Sequence, residues 1–429
     1  MYFAYSALLA LVLVLGSPYW LYEMLRHGKY RTGLRERLGG ISVRLTRISQ
    51  PTIWIHAVSV GEVLAISELV RQLRAECRSY RVLVSTTTDT GQRLARQRFG
   101  EENVFYFPLD FRFAVRRWLQ ALRPELVVIA ETELWPNFLR NAREEKARIA
   151  IVNARISDKS FKGYRRWKGL IASVLQIPDL FLAQTDQDAQ RLRDIGAPQD
   201  RVITTGNLKY DVPLPSPPAI VEQLRRALSG AGPVLVCGST VEGEEPLLLG
   251  AFTNILANHA GAVLLLAPRH PQRFDEVERL LREVKIPFWR RSKWAGGPIR
   301  GGVLLVDSIG ELSALYALAD IAFVGGSLVP RGGHNIIEPA QHGVAIVVGN
   351  HTENFRDIVG LFQSRDAVRV VGPAELPLMF MQLIANEAER HALGKRALET
   401  LETPRGATLR TITQLKKLLE SNAHEATQS

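Results

Sequence analysis

The chain has 429 residues, of which 46% are hydrophobic and 23% charged, and it carries a net charge of +11 at pH 7. That length exceeds one ordinary core and suits two domains. The composition is that of a globular protein, not of a disordered or fibrous one. Cysteine occurs only at Cys77 and Cys237, which argues against a disulfide framework or a cysteine-built zinc site and fits a reducing compartment.

The first segment reads as a membrane signal. Tyr2 to Tyr22 carries no charge and is dominated by Leu, Val, Ala and aromatic residues, about the length needed to span a bilayer as a helix. Tyr19, Trp20 and Tyr22 cluster at its far end, as interfacial aromatics do. A cleaved signal peptide is the alternative, but no Lys or Arg precedes the apolar run and bulky residues follow it. Residues 1–22 are therefore expected to be a retained transmembrane anchor. Residues 23–50 are expected to form a basic stem. Arg26, Lys29, Arg31, Arg35, Arg37, Arg44 and Arg47 stand there against Glu36 alone, a net +6 between Arg26 and Arg47. Basic flanks face the cytoplasm, so a single-pass membrane protein with cytoplasmic domains is expected. The same charges suit anionic head groups of membrane lipids. No nucleic-acid-binding motif accompanies them, and nucleic acid is not expected as a partner.

The remainder reads as strand–helix repeats. Short apolar runs recur at Ile53–Val58, Val82–Ser85, Val104–Phe107, Leu126–Ala130, Ile149–Val152 and Leu180–Ala183. Amphipathic stretches such as Glu62–Arg78 lie between several of them. The alternation predicts a parallel sheet covered by helices on both faces. It breaks at Asp211–Pro218, where four prolines favour a stiff linker. It resumes with Val234–Cys237, Val263–Ala267, Val303–Val306, Ile321–Val324, Ala345–Val348 and Val368–Val371. The expected fold is α/β, with two Rossmann-like doubly wound domains: residues 51–210 and, after the 211–218 linker, residues 219–421. Residues 422–429 are expected to be a disordered tail. Ligands in such folds bind at the carboxyl ends of strands, so the unusual residues at those ends are the ones to weigh.

In the first domain, Ile53–Ala57 leads to Glu62, which falls at the start of the next helix. A carboxylate there is able to deprotonate a hydroxyl, or simply to complement the helix dipole. His56 reads more as a core residue than as a second polar group. Leu126–Ala130 delivers Glu131 and Glu133 to the sheet edge, with Trp135 and Pro136 starting the next helix. Asn153 and Arg155 end the following strand. Lys209, near the domain end, is placed to stabilise negative charge in the cleft; a solvated surface cation is the alternative for Lys209 and for Arg155 alike.

In the second domain, Val234–Gly238 runs into Ser239, Thr240, Glu242, Glu244 and Glu245, which resembles a hydroxyl-capped helix start. Arg269 and His270 follow Leu264–Ala267, where a phosphate or a base edge would sit. Ser308, Ile309, Gly310 and Glu311 open another helix and offer free N–H groups. The run Gly325–Ala340 packs Gly325, Gly326, Gly332 and Gly333 around Arg331 and His334, then Asn335, Ile336, Ile337 and Glu338. Strand, glycine loop and helix start together suit an anion, and Glu338 suits a ribose diol. An ordinary glycine turn is the alternative. With Arg269 and Ser308–Glu311, three strand ends offer nucleotide-compatible groups. There is no GxxxxGK[ST] loop, HExxH, CxxC or GxSxG motif, which argues against a P-loop enzyme, a zinc enzyme and a serine hydrolase. Asp186 and Asp188 form the one DxD pair, in an amphipathic helix not placed to hold a metal–diphosphate.

HAVSVGE at His56–Glu62, ETELWPN at Glu131–Asn137, GNLKYD at Gly206–Asp211, APRHP at Ala267–Pro271 and GGHNIIEPA at Gly332–Ala340 resemble motifs of the lipid A Kdo (3-deoxy-D-manno-octulosonic acid) transferases. The resemblance covers nearly the whole chain. It implies a GT-B glycosyltransferase fold and transfer of Kdo from CMP-Kdo to a lipid A precursor, with no cofactor and no metal. It implies that Glu62 is the catalytic base of an inverting reaction, and that Glu131 and Lys209 stabilise the transition state. It also implies that CMP is held by Arg269 and His270, by Ile309, Gly310 and Glu311, and by Asn335, Ile336, Ile337 and Glu338. A UDP-sugar transferase or epimerase is the nearest rival enzyme. A non-catalytic membrane scaffold is the rival from another class.

Overall fold

The computed structural model describes residues 2–27, 32–46, 50–212, 218–402 and 405–428. The chain forms two compact units, one of residues 1–212 with 404–429 and the other of residues 213–403. Lys29, Arg31 and Arg47 of the basic segment, the heart of the proline linker (213–217) and Ser429 lie outside the described residues.

The first unit is built on seven strands: β1 (Thr52–His56), β2 (Arg81–Thr86), β3 (Val104–Tyr106), β4 (Pro124–Ala130), β5 (Arg148–Ala154), β6 (Leu180–Ala183) and β7 (Val202–Thr204). All pair in parallel, in the order β3-β2-β1-β4-β5-β6-β7. Successive residues of a strand point to opposite faces. Accordingly Trp54 joins the core on one side of the sheet, while Ile53 and Ile55 join the other. Such a sheet must be apolar on both faces, which is why its strands read as unbroken apolar runs. The strand order reverses beside β1, so β1 and β4 flank the switch point where doubly wound sheets bind ligands.

The second unit repeats the plan with β8 (Val234–Thr240), β9 (Val263–Pro268), β10 (Phe288–Arg290), β11 (Gly302–Leu305), β12 (Ile321–Val324), β13 (Ala345–Gly349) and β14 (Arg369–Val371). They are again all parallel, in the order β10-β11-β9-β8-β12-β13-β14. β7 and β10 were not foreseen. Each is a three-residue strand at the edge of its sheet and only partly buried, so it does not stand out as an apolar run.

Two boundaries differ from expectation. The last helix, Ala407–Gln428, belongs to the first unit and not to the second. Ala407, Ile412, Leu415 and Leu419 bury in the first unit's core. The Asp211 carboxylate accepts hydrogen bonds from Gly406 N at 2.8 Å and Thr408 N at 2.6 Å, and Arg410 Nε donates to Thr205 O at 2.8 Å. An amphipathic pattern tells that a helix buries one face, not against which core. The same helix carries regular backbone through Gln428, where a disordered tail from Asn422 was expected.

The N-terminal helix Tyr2–His27 contains a stretch, Tyr2–Trp20, long and apolar enough to cross a membrane. Near its start Ser6 Oγ accepts from Asn137 Nδ2 at 3.0 Å, and Arg140 lies over the Tyr2 ring. The stem is less free than its charge suggests. Arg44 donates to Glu101 O and Val104 O, and Arg37 donates to Thr87 O and stacks on Tyr106. Trp118 Nε1 donates to Glu36 O, and Leu45 is buried. Of the described stem, 32–46 is thus part of the first unit's wall.

Leu415 is fully buried in the first unit. Leu415→Ala should lower stability by about 2–5 kcal/mol. Denaturant unfolding with hydrogen exchange should place the loss in residues 50–212 and leave the second unit's protection unchanged.

Candidate active site

The acid-bearing site is assembled at the carboxyl ends of β1, β4 and β5. After β1 the chain turns through Ala57-Val58-Ser59 into the helix Val60–Ala65, which brings Glu62 into the interior at 7% exposure. Val58 N donates to Glu62 Oε2 at 2.7 Å, and Ser59 Oγ donates to Oε1 at 2.9 Å. Burial, and then the negative charge of Glu131, push the Glu62 carboxyl up to about 7, against the pull of those two hydrogen bonds. Burial raises Glu133 as well, with Glu131 again adding to it. A carboxyl near 7 is half ionised at neutral pH and is matched to general-base work.

Glu131 stands where β4 ends, with φ 56°. This left-handed geometry costs a non-glycine residue on the order of 1 kcal/mol and is common at functional sites. Lys209 Nζ lies 3.2 Å from Glu131 Oε1. The loop that carries Lys209 is set by two amides: Asn153 Oδ1 accepts from Leu208 N at 3.0 Å, and Asn207 Oδ1 accepts from Lys209 N at 3.0 Å. Asn153, at the end of β5, is itself left-handed with φ 54°. The three acids and Lys209 are thereby brought together. A cavity of about 180 Å³ opens beside them, lined by Glu131, Glu133, Arg155, Ser157 and Tyr164. His56 is fully buried, stacks on Phe107 and bonds Ser85 through Nδ1. Burial holds it down to about 3, a neutral core residue. Asp188 accepts from Ile156 N and from Thr185, a structural bond set.

The second unit gathers a cationic group at the ends of β8, β9 and β12. Arg269 and His270 are exposed just beyond β9, and Arg269 N donates to Thr240 O at 2.9 Å. His334 is pushed down to about 4 by burial first, then by Arg269 and His270. Burial raises Glu338, while Arg269 and an Asn335 hydrogen bond oppose it. Arg269, His270, His334, Asn335 and Glu338 are thus one constellation. Ile336 and Ile337 are buried, and Ile337 N donates to Asn335 Oδ1 at 3.2 Å, so the pair anchors the turn that carries Asn335 and Glu338. The helix after Asn335 is a single turn, Ile337–Ala340, so its dipole is small and the charge must come from side chains. In the turn Ile309-Gly310-Glu311, Ile309 is 81% exposed. Glu311 is gripped by both Nε and Nη2 of Arg291 and by Ser308. The Glu311 carboxylate therefore braces the turn, and its peptide groups are what it offers. Sequence reasoning missed Arg291, which lies twenty residues away in an irregular segment. Among the described residues no group of three or more His, Cys, Asp or Glu is placed to hold a metal ion.

Residues 32–212 match the family described as 3-deoxy-D-manno-octulosonic-acid transferase (kdotransferase). The chain is similar to the 3-deoxy-D-manno-octulosonic acid transferase of Haemophilus influenzae, 35% identical over 92% of this chain and 93% of that one. The Bordetella pertussis transferase is also 35% identical, over 93% of this chain and 95% of its own. Among solved structures, UDP-GlcNAc 2-epimerase from Neisseria meningitidis bound to UDP-GlcNAc gives a TM-score of 0.60 over 85% of this chain and 100% of that one, at 13% identity. That likeness is one of fold, of the GT-B class.

The Glu62 shift has a stability consequence. Its folded value, about 7, lies above the ordinary glutamate value of 4.5, so the folded state holds the proton more tightly than the unfolded. Its contribution is present below pH 4.5, declines as pH rises to about 7, and is absent above. Between pH 4.5 and 8 the wild type should lose on the order of 2–3 kcal/mol through this group. Glu62→Gln should remove that part of the pH dependence. Glu131→Gln should move the Glu62 titration to lower pH. Urea unfolding at several pH values and NMR of labelled glutamate check the two.

Proposed function

The chain belongs to the Kdo transferase family, and from that premise we propose that it transfers Kdo from CMP-Kdo to a lipid A precursor, lipid IVA, in lipopolysaccharide inner-core biosynthesis. The reaction is inverting and metal-independent, with Glu62 as general base. The observation that carries this reading is a buried carboxyl, raised to about 7, beside the Glu131–Lys209 pair. The acceptor hydroxyl gives its proton to Glu62. Its oxygen forms the new bond to the anomeric carbon of Kdo, and the bond to CMP breaks with its electron pair leaving on the phosphate. Lys209, fixed by Glu131, offsets the negative charge near the attacking oxygen.

CMP is held in the second unit by Arg269 and His270, by the backbone of Ile309, Gly310 and Glu311, and by Asn335 to Glu338. Asn335 and Glu338, on the turn that Ile336 and Ile337 anchor, suit the nucleoside. Arg269 suits the single phosphate. The helix Tyr2–His27 anchors the enzyme in the inner membrane, with both units on the cytoplasmic side and exposed stem cations such as Arg35 toward anionic lipid. Insertion would exchange the Ser6–Asn137 and Tyr2–Arg140 contacts for lipid.

Mass spectrometry of detergent-solubilised protein with CMP-Kdo and lipid IVA should detect a product heavier by one or more Kdo units, in the presence of EDTA. kcat/KM should fall tenfold per pH unit below about 7 and level above it, because the base works only when deprotonated. Glu62→Gln should reduce turnover by about 10²–10⁴-fold while CMP still binds; near-wild-type turnover would discard the base assignment. Arg269→Ala should weaken CMP in calorimetry, and an unchanged affinity would remove Arg269 from the site.

A further inference from the structure

Two adjacent acids, Glu244 and Glu245, lie at the start of the helix Glu245–Asn258 and are fully buried. A hydroxyl-capped helix start was expected there, but no side-chain cap forms. Instead each carboxylate reaches into a different loop. Glu244 accepts four backbone N–H groups: Oε2 from Gly326 at 2.7 Å and Val241 at 3.0 Å, Oε1 from Ser327 and Leu328 at 2.9 Å each. Three of these donors are consecutive residues of the loop that follows β12 and leads to Asn335–Glu338. A carboxylate has about four lone-pair sites, and here all are filled. The approach is close: a Cβ on Gly325 would stand 2.5 Å from Ser239 O and 2.8 Å from Glu244 Oε2. Gly326 has φ +71°, a turn that aims its N–H at the carboxylate.

Glu245 faces the other way. It accepts from Thr240 Oγ1 at 2.9 Å and from Arg273 in a two-pronged contact, Nη1 to Oε1 at 2.7 Å and Nη2 to Oε2 at 3.2 Å. Arg273 closes the short turn Pro271–Arg273, directly after Arg269 and His270. A forked guanidinium–carboxylate pair fixes orientation as well as distance.

We infer that Glu244 and Glu245 are positioning residues of the donor site, one acid holding the glycine loop that leads to Asn335–Glu338 and the other, through Arg273, the loop that presents Arg269 and His270. The inference rests on the reading of this unit as the CMP site. Neither acid touches the nucleotide. Because they are neighbours on one rigid helix, they fix the two loops relative to each other. A merely stabilising pair would leave nucleotide affinity unchanged in folded protein.

The test uses the full chain in detergent. In Glu244→Gln, one oxygen becomes an NH₂ that repels the loop N–H groups. Exchange of the Gly326, Ser327 and Leu328 amides should quicken at least tenfold and the Kd for CMP should rise at least tenfold, while the acceptor KM stays within twofold. Glu245→Gln should quicken exchange across 268–273 and weaken CMP in the same way. The exposed neighbour Glu242→Gln should change neither. Unchanged exchange at 326–328, or quickened exchange with unchanged CMP affinity, overturns the inference. Should either buried variant fail to fold, Arg273→Lys keeps the charge but loses the fork; CMP affinity within twofold of wild type then overturns it. If the wild type binds no CMP, the nucleotide assignment fails, while amide exchange in the same variants still decides whether the acids hold the loops.

Discussion

A parallel strand cannot be followed by its neighbour until the chain has crossed back over the sheet, and that requirement fixes where chemistry is able to sit. Every strand in both sheets runs the same way, so every carboxyl end in a unit lies on one edge. Glu62 and Glu131 follow β1 and β4, and Asn153 stands near the end of β5. Arg269 follows β9, and the glycine loop follows β12. The shared edge brings these residues near one another within each unit, before local turns and hydrogen bonds fix them in place. The sheet gathers them, and the flanking helices only choose which side chain is turned inward.

The edge so created is costly to keep. Strand ends leave peptide groups unpaired, and acids drawn among them lose water. The first unit answers with left-handed turns at Glu131 and Asn153 and with Lys209 set against Glu131. Burial first, and then the negative charge of Glu131, hold the Glu62 proton near neutrality. The second unit answers with backbone: glycines that let N–H groups close on Glu244. One edge leaves a carboxyl that holds its proton near neutrality and the other a loop tied down by backbone hydrogen bonds, though both sheets are wholly parallel.

Much of this was legible in the sequence because buried parallel strands announce themselves as apolar runs. Ile53–Val58, Leu126–Ala130 and Ile321–Val324 could be placed from Val and Ile alone, and Glu62, Glu131 and Arg269 then fell at strand ends by counting. Two of the four short edge strands escaped, since Val202–Thr204 and Phe288–Arg290 are only partly buried and do not stand out as apolar runs. So did the home of the last helix. The apolar stripe through Ile412, Leu415 and Leu419 fits either core, and what decides between them is the Asp211 carboxylate some two hundred residues earlier. Glu244 and Glu245 read as a helix start because a sequence shows which residues neighbour a helix, not which loop amides wait beside them.

The contrast between Glu62 and Glu244 shows why residue type alone could not assign a role. Both are buried glutamates at the start of a helix after the first strand of a sheet. Burial raises both. Glu244 has four N–H donors on its two oxygens, so its lone pairs are spent and any proton arriving there would have to break the loop. Glu62 shows one backbone donor and one hydroxyl, one on each oxygen, which leaves half of its lone-pair sites open to a substrate proton. A carboxylate whose acceptor sites are all occupied is fit to brace a loop, and one with sites to spare beside like charge is able to accept a proton. Counting donors around a buried acid separates the two roles before any substrate is in view.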